Sequence, residues 1–174
     1  MSEQRFHVIG MTDDQSGTFS AEILQLMGRG KVFSGGKRHH EIVASLLPED
    51  AVWIDITVPL DKVFSQYEAY AEIIVFASGD PLFFGFANTL KKRLPNAWMR
   101  VYPVFNSLQT LAHRLVLPYH DMRTVSLTGR PWQNLDEALI RGDKLIGALT
   151  DREKTPSRIA ARMLEYGYDN YRMT

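Results

Sequence analysis

The sequence predicts an α/β fold with a mostly parallel sheet in its first part, and three observations predict it. Apolar runs of strand length alternate with stretches of helical spacing. Gly, Pro and Asp stand at the junctions between them. The clearest apolar run, Ile73–Ala77, carries no charge, as a strand covered on both faces by helices requires.

Taken in order, Phe6–Met11 reads as the first strand, followed by a polar loop over Thr12–Gly17. A helix starts at about Ser20, with Ile23, Leu24 and Met27 spaced for one face. Val32–Ser34 is a short strand and Lys37–Leu47 a helix. Val52–Ile56 and Leu60–Tyr70 repeat the pair, and Ile73–Ala77 follows as the central strand. Asp80 then fits a helix N-cap and Pro81 the first helical position, opening a helix toward Leu94. Met99–Val104 reads as a strand and Ser107–Leu115 as a helix.

After Pro118 the alternation restarts. Val125–Leu127 and Lys144–Leu149 read as strands around a helix at Leu135–Arg141. Thr155 and Pro156 repeat the cap-then-proline signature, Ile159, Met163 and Leu164 carry an apolar stripe, and Gly167 suits the helix stop. Asn170–Thr174 reads as the start of a further strand. The expected division is therefore an N-terminal α/β lobe over 1–117 and a second, incomplete lobe over 118–174. Two strands and two helices are thin for an independent core, so a partner chain or further sequence is expected to complete it.

Composition excludes several function classes. The 174 residues hold 20 Lys+Arg and 20 Asp+Glu, a formal charge of +0 that argues against broad electrostatic binding to nucleic acid or an anionic membrane. With 0 Cys there is no disulfide, thiolate nucleophile, iron–sulfur cluster or Cys-zinc site. No apolar run approaches the roughly 20 residues of a membrane span, and Met1–Arg5 is no secretory signal, so a cytoplasmic location is expected. The 5 His include an adjacent pair, His39 and His40, that would point apart on a helix, and no spacing suits a metal. There is no G-x-S-x-G elbow, and Gly10 stands alone where a dinucleotide binder has G-x-G-x-x-G.

Four strand-end loops remain as candidate chemistry. Ala77-Ser78-Gly79-Asp80-Pro81 places small residues at the carboxyl end of a buried strand, where ligands of open α/β sheets sit. A plain strand-to-helix turn would look the same. Ser34-Gly35-Gly36-Lys37-Arg38-His39-His40 couples a glycine pair to cations, which suits an acidic ligand or simply a solvated helix start. Lacking the spacing and the Lys-Ser/Thr ending of a P-loop, it does not support nucleotide hydrolysis. Tyr102–Ser107 delivers Asn106 and Ser107 to a helix start, and Ser126-Leu127-Thr128-Gly129-Arg130 ends in a cation. Four such loops in one small chain favour a shared cleft.

In this order, with Leu149-Thr150-Asp151 and Thr155-Pro156 after them, these loops resemble the tetrapyrrole (corrin/porphyrin) methylase family. The Gly-Gly-Lys-Arg-His and Ser-Leu-x-Gly-Arg loops are similar to those of its precorrin-6Y methyltransferase branch, which works in cobalamin biosynthesis. The chain differs from the family at Gly10-Met11-Thr12-Asp13-Asp14, where a Gly-x-Gly-Pro-Gly-like turn is usual, and at Thr128, where this branch often has His. The resemblance implies a two-lobe methyltransferase, usually a homodimer, using S-adenosylmethionine and releasing S-adenosylhomocysteine. It implies that Gly10, Ser78, Gly79, Asp80, Phe83, Asn106, Ser107 and Leu108 line the cofactor, with Leu149, Thr150, Thr155 and Pro156 closing it. Lys37, Arg38 and Arg130 would anchor the carboxylates of a precorrin substrate. No metal and no general base is assigned. Because family members run on past the equivalent of Thr174, an N-terminal fragment or an unusually short member is expected, with a methyltransferase/decarboxylase domain downstream in the bifunctional versions. The alternatives are a non-catalytic domain keeping the fold, or a methylase for another tetrapyrrole position.

Overall fold

A computed structural model describes residues 4–12 and 18–174; residues 13–17 of the loop expected after the first strand lie outside them. The chain divides into two compact units, Met1–Asn106 and Ser107–Thr174. The division falls ahead of the helix that starts at Ser107, whereas the sequence pattern puts it after that helix.

The first unit runs β1 (Arg5–Met11), α1 (Ala21–Arg29), β2 (Val32–Gly35), α2 (Lys37–Val43), β3 (Val52–Asp55), α3 (Asp61–Tyr67), β4 (Glu72–Ser78), α4 (Phe86–Arg93) and β5 (Trp98–Tyr102). A 3-10 turn at Ala44–Leu46 carries the end of the helix expected to reach Leu47. The sheet order is β3-β2-β4-β1-β5, with every neighbouring pair parallel. Parallel neighbours require crossovers, and helices supply them on both faces. Alternation along the strands sorts the core accordingly. Phe6, Val8, Ile73, Val75 and Ala77 turn to one face, against Val63, Phe64 and Tyr67 of α3 and Ala87 and Leu90 of α4. Ile9, Met11, Ile74 and Phe76 turn to the other, against Leu26 and Met27 of α1 and Val43 of α2.

This sorting creates a switch point. β1 feeds α1 on one face, and its neighbour β4 feeds α4 on the opposite face. Their carboxyl ends thus lie between diverging connections, the place where open α/β sheets bind ligands.

The second unit runs α5 (Ser107–Leu115), β6 (Arg123–Ser126), α6 (Gln133–Ile140), β7 (Ile146–Leu149) and α7 (Pro156–Glu165). β6 and β7 pair in parallel. Val125, Leu127, Leu135, Ala138, Leu139 and Ile159 form its core, bordered by Trp132, Met163, Tyr168 and Tyr171. Arg162 pins α7 to α6 through two 2.8 Å bonds from its guanidinium to the Asp136 carboxylate. The same guanidinium lies over the Trp132 and Tyr166 rings, at 5.1 and 4.8 Å. Hydrogen bonding to Asp136 raises its pKa, so the charge is permanent.

Two expectations are corrected. Asp80 and Pro81 do not open a helix. The Asp80 carboxylate accepts from the Leu82 amide at 2.9 Å, which makes a local turn, and α4 starts only at Phe86, behind Gly85. The tail at 170–174 is not a strand. Instead the Tyr171 hydroxyl donates to the Asp143 carbonyl at 2.9 Å and its ring packs on the second core. The same cap-then-proline signature holds at α7, where Thr155 accepts from the Arg158 amide. No helix among the described residues is long and apolar enough to cross a membrane.

The first core contains one polar relay. Ser34 donates to the Ile54 carbonyl at 2.7 Å, and so accepts from the Tyr67 hydroxyl, also at 2.7 Å. Burial pushes the Tyr67 phenol up to about 12 from its ordinary 10.0. A raised folded-state value means that the unfolded chain loses this proton first. Its contribution is whole below pH 10 and is lost as pH rises toward 12, at up to about 1.4 kcal/mol per pH unit. Urea titrations across that window should show a shallower alkaline loss of stability in Tyr67→Phe than in the parent chain.

Candidate functional site

Gly10, in β1, is where the segments after β4 and β5 converge. A Cβ there would collide with the Gly79 carbonyl and stand 3.0 Å from the Val104 nitrogen and 3.2 Å from Pro81 Cδ. Only glycine lets the segments after β4 and β5 close over β1 at this point. The register continues the closure: Gly10 pairs with Ala77 and Met11 with Ser78, and the Gly79 amide donates to the Met11 carbonyl at 2.7 Å. Gly79 has φ +62, a left-handed conformation natural to glycine, and its Cβ position lies 3.4 Å from the Asn106 Cα. Asn106 itself is buried.

The Ser78-Gly79-Asp80-Pro81 turn is held by its own contacts. Phe83 donates its amide to the Asp80 carbonyl at 3.0 Å, and Asn88 reaches back from α4 to the Leu82 carbonyl at 2.8 Å. Phe83 and Phe84 meet edge to face at 4.9 Å between ring centres. Phe83 is half-buried and Ser78 is exposed. Gly10, Ser78, Gly79, Asp80 and Asn106 are therefore brought together, with Phe83 on the outgoing turn.

The loop after β2 joins this cluster through a residue that the sequence analysis quoted but did not single out. His39 Nδ1 accepts from the Gly36 amide at 3.2 Å, capping α2, and His39 Nε2 lies 3.0 Å from Ser78 Oγ. The available signal was its place three residues after the cap, where a side-chain acceptor commonly reaches back to the cap amide. Lys37 and Arg38 are exposed in the first turn of α2. His40 stacks on Trp53 at 4.2 Å and takes a wall position.

The remaining expected residues belong to the second unit. Ser107 is the exposed first residue of α5. Leu108 is buried, and a Cβ on Gly147 would meet its Cδ1 at 2.9 Å, so its side chain packs beneath β7. The loops after β6 and β7 are tied together. Thr128 Oγ1 donates to the Thr150 carbonyl at 3.2 Å, and the Asp151 carboxylate accepts from the amides of Gly129, Glu153 and Lys154 at 3.0, 2.9 and 2.6 Å. Those amides, that of Lys154 foremost, hold the Asp151 carboxyl below its ordinary value. Leu149 ends β7, Thr150 is exposed, and Thr155 and Pro156 start α7. Arg130 is exposed on the loop after β6. Among the described residues no group of three or more His, Asp or Glu could hold a metal ion.

No family model matches the chain. It is 32% identical over 170 residues to a precorrin-6Y C(5,15)-methyltransferase [decarboxylating] of Sinorhizobium sp, a match covering 96% of this chain and 40% of that protein. The chain thus spans about two-fifths of the length of this relative. Among solved structures, that of the methyltransferase CobJ superposes with a TM-score of 0.69 at 19% identity, covering 93% of this chain and 76% of that one. The uroporphyrin-III C-methyl transferase from Thermus thermophilus, complexed with S-adenyl homocysteine, gives 0.65 at 21% identity, covering 95% and 73%. The fold is that of the tetrapyrrole methylases, as the loops of the sequence led us to expect.

Asp151 offers a direct check of the second-unit geometry. Asp151→Ala should speed hydrogen exchange at the Gly129, Glu153 and Lys154 amides, leaving those of β6 and β7 protected. In the parent chain the protection of these amides relative to free-peptide exchange at the same pH should fall as pH drops through the carboxylate range, since a depressed folded-state value contributes only above it.

Proposed function

We propose that this chain is the methylase portion of a precorrin-6Y-type enzyme of cobalamin biosynthesis, an S-adenosylmethionine-dependent C-methyltransferase acting on a meso carbon of a precorrin. The observation that carries this reading is the coincidence of two findings. The similarity to a precorrin-6Y methyltransferase runs through nearly the whole chain, and within the first unit the resembling segments at Gly10, Ser78–Pro81 and Asn106 lie together at the switch point of the sheet.

The residues present fit the methyl donor. Gly10 and Gly79 remove side chains where backbone must come close, and the Ser78 hydroxyl stands exposed at the strand end. Ser78, Gly79, Asp80, Phe83 and Asn106 of the first unit would hold it, with Gly10 beneath them. From the second unit, Ser107, Leu108, Leu149, Thr150, Thr155 and Pro156 are the assigned contributors. When bound, S-adenosylmethionine supplies an electrophilic methyl group on a positively charged sulfur.

The chain's own task is then placement. Transfer to carbon is accelerated chiefly by holding donor and acceptor in line and keeping water out, and it needs no nucleophilic side chain. Lys37 and Arg38 on one unit and Arg130 on the other are the assigned anchors for substrate carboxylates. Arg suits this role because its planar fork pairs with both carboxylate oxygens. Such local charge is compatible with a chain of +0 net charge. A homodimer, a downstream methyltransferase/decarboxylase domain and a cytoplasmic setting complete the reading.

Calorimetry with S-adenosylhomocysteine tests it. The chain should bind, and Gly79→Arg should abolish binding with the fold intact, at a cost of about 1–2 kcal/mol for a side chain in the left-handed region. Retained affinity in Gly79→Arg would remove the site. A parent chain that folds and does not bind would remove the methyl-donor reading.

A further inference from the structure

We propose that His39 is a positioning residue for Ser78, setting the direction in which the Ser78 hydroxyl offers its proton to an acceptor atom of the bound methyl donor. This rests on the methyl-donor reading above and extends it to a residue outside the assigned set.

The argument follows from two distances. The Gly36 amide can only donate, so at 3.2 Å His39 Nδ1 is the acceptor and carries no proton. In the neutral ring the proton then resides on Nε2, which lies 3.0 Å from Ser78 Oγ and donates to it. Ser78 thus spends a lone pair on His39, and its own proton points elsewhere. Without this bond the hydroxyl would rotate among its staggered positions, and His39 could equally serve as its acceptor. The relay runs from the Gly36 amide through the imidazole to Ser78, linking the loop after β2 to the strand end where Gly79 donates to Met11. It orders a hydrogen-bonding group before ligand arrives, which lowers the cost of ordering it on binding.

Two replacements separate this role from capping. His39→Asn keeps an acceptor at the distance of Nδ1 but cannot reach Ser78. His39→Gln places an amide N–H over the same number of bonds as Nε2, and its carbonyl can still serve the cap. By calorimetry, His39→Asn should weaken S-adenosylhomocysteine binding about tenfold, the size of one well-made hydrogen bond. Ser78→Ala should do the same, the double variant should lose no more than Ser78→Ala alone, and His39→Gln should recover most of the affinity. Losses that multiply in the double variant would overturn the proposal, as would a Gln variant no better than Asn.

A second readout needs no ligand. In long-range proton–nitrogen spectra of the full chain at pH 8, the His39 ring should carry its proton on Nε2, and Ser78→Ala should shift that Nε2–H resonance. An Nδ1–H ring, or a resonance indifferent to Ser78, would overturn the proposal even if binding were seen. Should the parent chain fail to bind S-adenosylhomocysteine, the methyl-donor reading falls and the donor role of Ser78 falls with it. The ring spectra would then still show whether that failure left the His39–Ser78 pairing itself intact.

Discussion

Everything in the first unit that resembles a site depends on the close approach of the segments after β4 and β5 over Gly10 of β1. β1 lies between β4 and β5, all three parallel, so their carboxyl ends emerge side by side. The segments that follow can converge only because position 10 has no side chain. The Gly79 carbonyl, the Val104 nitrogen and the Pro81 ring occupy the space a Cβ would need. β1 and β4 send their helices to opposite faces, so their connections diverge at this end of the pair. Sterics at one glycine and the direction of two connections thus create a backbone-lined strand end.

Electrostatics adds little to that framework. The chain is neutral overall; the exposed cations Lys37 and Arg38 stand in the first turn of α2 and Arg130 on the loop after β6. Side chains spent on structure are paired within their own unit: Arg162 with Asp136, Arg100 with Glu22 at 2.7 Å, and Arg93 with Asp61 at 2.7 Å. Exposed pairs such as the last two contribute about 0–1 kcal/mol each. Arg162 gains more geometry, since it is bidentate and lies over two rings.

The strands and most helices were legible because their signals are short-range. Ile73–Ala77 announced itself by lacking charge, α1 by the spacing of its apolar face, and α7 by the Thr155 capping chemistry that the structure realises. Asp80-Pro81 misled for a physical reason. Asp followed by Pro is as good for a turn as for a helix start, and the choice was made downstream. There the Ala87 amide reaches the Pro81 carbonyl, and a Cβ at Gly85 would crowd that same group. The tail misled because an apolar-polar alternation too short for a strand was satisfied by one tyrosine docking on the second core. The Gly79 loop was legible as a candidate site from its place after a buried strand. His39 was not, because its partners are a backbone amide three residues back and a serine 39 residues on.

The central claim is that the carboxyl ends of β1 and β4 receive the methyl donor. Amide spectra of the chain titrated with S-adenosylhomocysteine test it most directly. The account predicts shifts at Met11, Ser78, Gly79 and Asn106, with Gln4, Ala71 and Ala97 at the opposite end of the same strands unmoved. Saturating ligand that leaves the first group in place, or that moves only the second, would contradict it.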